Sequence, residues 1–137
     1  MKKEFSISWI SSSQKRKQRK YRVNAPLHIK RKFLSANMSK ELRKKYGIRN
    51  IVLRKGDKVK IMRGKFRKHV GEVFDVDVKK TVVFVDGAQK IKKDGTKVFI
   101  PLNPSKLQLV EINLDDKYRK EKIERINKDA EKTPQKV

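Results

Sequence analysis

Residues 56–76 read GDKVKIMRGKFRKHVGEVFDV, and this stretch decides the fold. Val59 and Ile61 alternate with Lys58 and Lys60, the pattern of a strand with one buried face. A basic loop bounded by Gly64 and Gly71 follows. Val73, Val76 and Val78 then resume an imperfect alternation, which places a bulge near Phe74 and Asp75. Downstream, TVVFVDG (81–87) is a β-branched run closed by an Asp86-Gly87 turn. IKKDGTKVFI (91–100) reads as a hairpin in which Asp94 and Gly95 both take the positive φ of a type I′ turn. Pro101 and Pro104 end that pairing, and LQLVEI (107–112) supplies a last strand. Five short strands with Gly-containing turns across residues 51–112 make the fold mainly β and point to a small closed barrel.

Upstream, residues 23–50 read as two short helices. Asn24 caps the first, Pro26 fits its first turn, Asn37 stops it, and Leu27, Arg31 and Leu34 share a face. Ser39 caps the second, Gly47 follows its end, and Leu42 and Tyr46 fall at i and i+4. Neither helix is long enough to stand alone in water, so each must pack on the barrel, on a ligand, or on both. Residues 1–22 form a basic flexible arm: SSSQKRKQRKYR (11–22) has six cations, no acid and little to bury. Such a run is either a disordered tail or localisation signal, or an arm that orders on contact with RNA. Residues 113–137 form a C-terminal helix and tail. Asn113 with Asp116 marks its start, Tyr118, Ile123, Ile126 and Ala130 make a thin apolar stripe, and TPQKV frays.

Charge sets the class of partner. The 137 residues hold 39 Lys and Arg against 15 Asp and Glu, for a net charge of +24. Residues 1–50 account for +14, residues 51–110 for +9 and residues 111–137 for +1. Segregated charge of this size is the footprint of a polyanion, and nucleic acid is the expected one. The near-neutral C-terminal helix belongs, on that argument, on the outer, solvent-facing or protein-facing side. With no cysteine there is no disulfide or thiolate metal site, and His28 and His69 stand far apart with no carboxylate pattern around them. Neither a metal nor a cofactor is expected, nor a small-molecule substrate. The apolar start of MKKEFSISWISSS is short and broken by serines, and no apolar run nears the ~20 residues of a membrane span. The chain reads as soluble and cytoplasmic.

The loop MRGKFRKHVG (62–71) carries the binding chemistry. Gly64 allows a tight turn and Gly71 a bend or close backbone approach. Arg63, Lys65, Arg67, Lys68 and His69 gather at one barrel edge. The two Arg can fork onto phosphate oxygens while the Lys act as point charges, which suits recognition of backbone and shape. Phe66 either stacks on an unpaired base or turns inward to fill the barrel. The RNA-contacting set extends to Lys15, Arg16, Lys17, Arg19, Lys20, Tyr21 and Arg22 in the arm, with Tyr21 as a stacking surface. His28, Lys30, Arg31, Arg43, Lys44 and Arg49 add to it from the helical segment, and Arg54 and Lys55 from the approach to the first core strand. Gly56, Asp57 and Gly71 are structural, Asp57 orienting the turn into that strand. Asp57, Asp75, Asp77 and Asp86 could bind Mg²⁺ as a nuclease would, but Asp75 and Asp77 recur at period two, as a solvated strand face does. No phosphate-binding Gly-Lys loop, nucleophile elbow or acid and base pair is visible, so no catalytic residue is assigned.

The 56–76 stretch resembles the KOW motif, matched by Gly56, Asp57, Val59, Ile61, Gly64, Gly71, Val73 and Val76. That motif also occurs in transcription elongation factors, so a free RNA-binding adaptor is the alternative; a nucleoid-coating protein would explain the charge but not the motif. The flanks KRKQRKYRVNAPLHIKRK, SKELRKKYGIRNIVLRKGD and IPLNPSKLQLVEINLDDK make the chain, from about Lys15 to Arg125, similar to the archaeal and eukaryotic branch of the large-subunit ribosomal protein twenty-four family. The resemblance implies an SH3-like barrel bound to the first domain of large-subunit rRNA among neighbouring ribosomal proteins, acting early in subunit assembly near the peptide exit tunnel. One position departs from the family pattern: Lys68 stands where the loop commonly carries Gly. If that site needs positive φ, Lys68 bears a strain of about 1 kcal/mol or the loop takes another turn.

Overall fold

The computed structural model describes residues 3–132, with side chains described as far as Ile126. Ala130 of the expected stripe and the tail from residue 133 lie outside the described side chains and residues. In chain order the elements are a 3₁₀ turn (Ile7–Ser11), α1 (Lys15–Asn24), α2 (Leu27–Phe33), β1 (Ser35–Met38), α3 (Lys40–Tyr46), β2 (Asn50–Val52), β3 (Lys58–Ile61), β4 (Val70–Asp77), β5 (Val82–Val85), β6 (Gln89–Ile91), β7 (Lys97–Phe99), a second 3₁₀ turn (Pro104–Lys106), β8 (Leu107–Glu111) and α4 (Lys117–Lys132).

Alternation builds the sheet. In β3, Val59 and Ile61 are fully buried while Lys58 is exposed and Lys60 half-buried. β3 lies centrally, antiparallel to β4 through Val59↔Gly71 and to β8 through Val59↔Leu109. The sheet order is β2-β1-β8-β3-β4-β5, with β1 parallel to β8. Its inner face closes over Leu34, Met38, Val59, Ile61, Val73, Val83, Val85, Leu107 and Leu109. The bulge falls as expected, the β4–β5 register shifting between Val73 and Asp75.

Three expectations are corrected here. The ladder does not close into a barrel: it runs from edge β2 to edge β5. Beyond β5 the described residues form a single bridge, Val83↔Leu102, and β6 and β7 pair with each other as a separate ribbon. The ribbon's turn is not type I′. Only Gly95 has positive φ (82°), and Gly95 N–H bonds to Lys92 O while Lys92 N–H bonds to Thr96 O, a type I turn closed by a glycine bulge. Asp94 instead accepts hydrogen bonds from the Thr96 N–H and hydroxyl at 3.0 and 2.7 Å. The segment 35–38, expected to end a helix, is strand β1. α2 stops at Phe33 because Ala36 and Met38 are then buried by alternation in the sheet.

The N-terminal arm is also more ordered than its composition suggests. Residues 15–24 form α1, and Asn24 ends that helix rather than capping α2, whose N-cap is Pro26. Lys, Arg and Gln are good helix formers once one face finds a partner. Here Gln18 donates to the carbonyls of Trp9 and Ser12, each at 2.8 Å. Tyr21, Ala25 and Ile29, spaced by four, bury a second small core together with Phe5, Trp9 and Phe33. α3 behaves as its sequence requires: Ser39 Oγ accepts from Leu42 N–H, and Gly47 closes the helix at φ 62°.

Candidate nucleic-acid interface

The loop between β3 and β4 is built by a bulge. Lys68 N–H bonds to Ile61 O and Ile61 N–H to His69 O, both at 2.8 Å, so Lys68 and His69 together oppose one residue of β3. The first residue of such a bulge sits in the left-handed region and is normally glycine. Lys68 occupies it with φ 74°, in the same pattern that Gly95 serves in the ribbon. Arg67 N–H to Gly64 O (3.1 Å) tightens the tip, with Gly64 at φ 97°. Arg63, Lys65, Arg67 and Lys68 are all exposed, and among the described residues none forms an ion pair. Met62 N–H bonds to Lys106 O, which sets exposed Lys106 at the loop's root. Sequence reading missed Lys106 because 44 residues separate it from Met62; only the β3–β8 pairing joins them.

Two loop residues have inward duties. Phe66 is half-buried and packs against the main core, which favours the filling role over base stacking. His69 is half-buried and its Nε2 lies 2.8 Å from Asp86 O, so it ties the loop to the Asp86-Gly87 turn instead of reaching outward. Gly71 is required at this junction, since a Cβ there would stand 2.5 Å from Asp86 O.

The other expected contacts divide. In α1, Lys15, Arg16, Arg19 and Arg22 are exposed and Lys17 and Lys20 half-buried, but Tyr21 is only 5% exposed. Its ring stacks on Phe5 at 5.4 Å and meets Phe33 edge-on, so Tyr21 is not a stacking surface for RNA. His28, Arg31, Lys44 and Arg49 are exposed, whereas Lys30 reaches Lys79 O (3.3 Å) and Arg43 Nε donates to Met38 O (2.9 Å). Arg54 pairs with Asp116, and Lys55 with Asp75 at 2.8 Å. Burial first, and then the neighbouring Arg31 and Arg119 cations, push the Arg54 pKa below its ordinary value.

Behind the surface lies a latch that joins the C-terminal helix to the sheet. Asp57 is fully buried and accepts four N–H donors: Arg54 N (2.8 Å), Asn113 N (3.0 Å), Arg119 Nη1 (2.6 Å) and Arg119 Nη2 (2.9 Å). Arg119 also donates to the carbonyls of Asn113 and Val52. Gly56, at φ 82°, packs under the Asn113 side chain. Asp57 thus bonds the chain at the entry to β3 and holds α4 as well. The expected stripe of α4 holds at Ile123, which is buried, but Tyr118 is 80% exposed, Ile126 is also exposed, and Arg119 faces inward instead. The helix cap is Asp116, accepting from Tyr118 N–H, and Asn113 instead makes a turn with Asp115 N–H. A buried Arg leaves no apolar signature, so its partner could not be read from spacing.

The chain thus carries a strongly basic surface on a small, mainly β domain, and the fully buried carboxylate of Asp57 is committed to structure. The family of ribosomal proteins described as L26 in eukaryotes and L24 in archaea matches residues 12–126, and the chain belongs to it. It is 47% identical over 116 residues to the large ribosomal subunit protein uL24 of Korarchaeum cryptofilum (strain OPF8), covering 85% of this chain and 88% of the relative. The chain is therefore a structural protein of the cytoplasmic ribosome and not an enzyme.

Proposed function

We propose that the chain is a constituent of the large ribosomal subunit that binds rRNA through the β3–β4 loop and the cations of its N-terminal segment. In this reading β3, the basic loop and β4 of the open sheet are a KOW motif, fixed by Gly56, Asp57 and Gly71. The rRNA partner is the first domain of the large-subunit molecule, contacted beside neighbouring ribosomal proteins early in assembly and near the peptide exit tunnel. The observation that carries the reading is the loop itself, four exposed cations that form no ion pair among the described residues, on a backbone held by hydrogen bonds at both ends. A preformed basic edge loses little entropy on binding, and its point charges and guanidinium forks suit phosphate oxygens. The name of the Korarchaeum relative supports the large-subunit placement.

The test is binding to a transcript of the first rRNA domain across a salt series. Changing Arg63, Lys65 and Arg67 together to Ala lowers the slope of log affinity against log salt by roughly 0.7–0.9 for each phosphate no longer neutralised. A triple variant with the wild-type slope removes the loop from the interface.

A further inference from the structure

A second basic surface lies where the sequence placed a neutral one. Between α2 and the start of α4 runs a cleft of about 320 Å³, floored by Ile51 and Val52. His28, Arg31 and Lys32 line it from α2, and Tyr118, Arg119 and Lys122 from α4; Arg54 completes it, and no carboxylate is among its lining residues. Tyr118 and Lys122 stand at i and i+4 on one flank of α4, while Glu121 and Glu124 do not line the cleft. The small net charge of the C-terminal segment thus hides a sided distribution. Arg119 and Arg54 are neutralised by Asp57 and Asp116, but among the described residues Arg31, Lys32 and Lys122 form no ion pair. All three are exposed, and beside them the Tyr118 ring is 80% exposed. An aromatic of that size left in water next to three unpaired cations is the combination that binds single-stranded nucleic acid, with ring for base and cations for phosphate.

We propose that this cleft takes a backbone phosphate of rRNA on Arg31, Lys32 and Lys122, with Tyr118 stacked on an adjacent unpaired base. α4 is then an rRNA-binding element, pinned by the Asp57–Arg119 latch so that its basic flank faces α2. The proposal rests on the rRNA-binding reading above and adds an rRNA site separate from the β3–β4 loop.

The test uses the full chain and a large-subunit rRNA transcript, with Lys32→Ala/Lys122→Ala, Tyr118→Ala and Tyr118→Phe compared with wild type. All three side chains are exposed, so circular dichroism is expected to stay unchanged. The double Lys variant flattens the salt slope by roughly 0.7–0.9 for each phosphate left without its cation. Tyr118→Ala weakens binding about 5- to 100-fold with the slope unchanged, and Tyr118→Phe, which keeps the ring, restores it. Wild-type affinity and slope in both the Lys and Ala variants, alongside a flattened slope in the loop triple variant, overturn the cleft and leave the rRNA reading standing. No salt-dependent rRNA binding by the wild-type chain overturns both. Variants that bind rRNA normally but fail to join assembling subunits identify a protein-facing cleft and overturn the proposal as well.

Discussion

Replacing Asp57 by Ala strands an arginine. Arg119 is 5% exposed, and without the carboxylate its guanidinium loses the two bonds at 2.6 and 2.9 Å that neutralise it. The backbone N–H groups of Arg54 and Asn113 lose their acceptor at the same time. Removing one partner of a buried ion pair costs about 3–5 kcal/mol. Each orphaned N–H adds about 1 kcal/mol if water entering the vacated space meets part of its need. The sum, about 5–7 kcal/mol, rivals the whole stability expected of such a domain, about 5–15 kcal/mol. Arg119→Met costs less, about 3 kcal/mol, because Asp57 keeps two of its four donors. The double variant buries neither charge, so it is more stable than Asp57→Ala alone, a coupling of about 3 kcal/mol or more. Urea unfolding of the full-length variants, followed by far-UV circular dichroism, measures all three. A cost below about 1.5 kcal/mol for Asp57→Ala, or additivity within about 0.5 kcal/mol in the cycle, refutes the claim that this pair fastens α4 to the sheet.

Tyr21→Ala is expected to melt the N-terminal core and spare the sheet, because Tyr21 packs among Phe5, Phe33, Ala25 and Ile29 rather than in the main cluster. Hydrogen exchange checks it: protection falls across residues 15–24 and persists in β3, β4 and β8. Lys68→Gly relieves a non-glycine residue at φ 74°, a gain of about 1–2 kcal/mol offset by about 0.4–1 kcal/mol of added unfolded-state freedom, so thermal unfolding shifts slightly upward. If Lys68 also touches a phosphate, the same variant weakens rRNA binding while stabilising the protein. Acidification tests the exposed Lys55–Asp75 pair. The Asp75 side chain is held below the usual carboxylate range by its bond from Lys55 and then by Val76 N–H, so its contribution is present above the unfolded pKa and fades as pH falls through the lower folded one. Asp75→Asn is expected to reduce the loss of stability seen on going from neutral pH to below about 4.

What the sequence determined by itself was local. Period-two alternation in β3, the glycine-bounded basic loop, the bulge at Phe74 and both caps of α3 depend on neighbours within a few residues, and each was legible as chemistry. The segregated charge was likewise legible, because charge adds along a chain whatever its fold. Tertiary structure decided the rest, wherever a residue's role depends on a distant partner. Tyr21 sits in a run of cations that looked solvated, and becomes core only because Phe5 and Phe33 arrive on either side. Arg119 has no apolar signature in the sequence and gains its role only from Asp57, 62 residues earlier. Sheet closure, too, depends on where β5 and the β6–β7 ribbon find hydrogen-bond partners, and the ribbon pairs with itself. Local propensity reports which elements form; only the packed chain, where burying a charge demands an opposite one, reports which side chains are spent on the fold and which are left exposed.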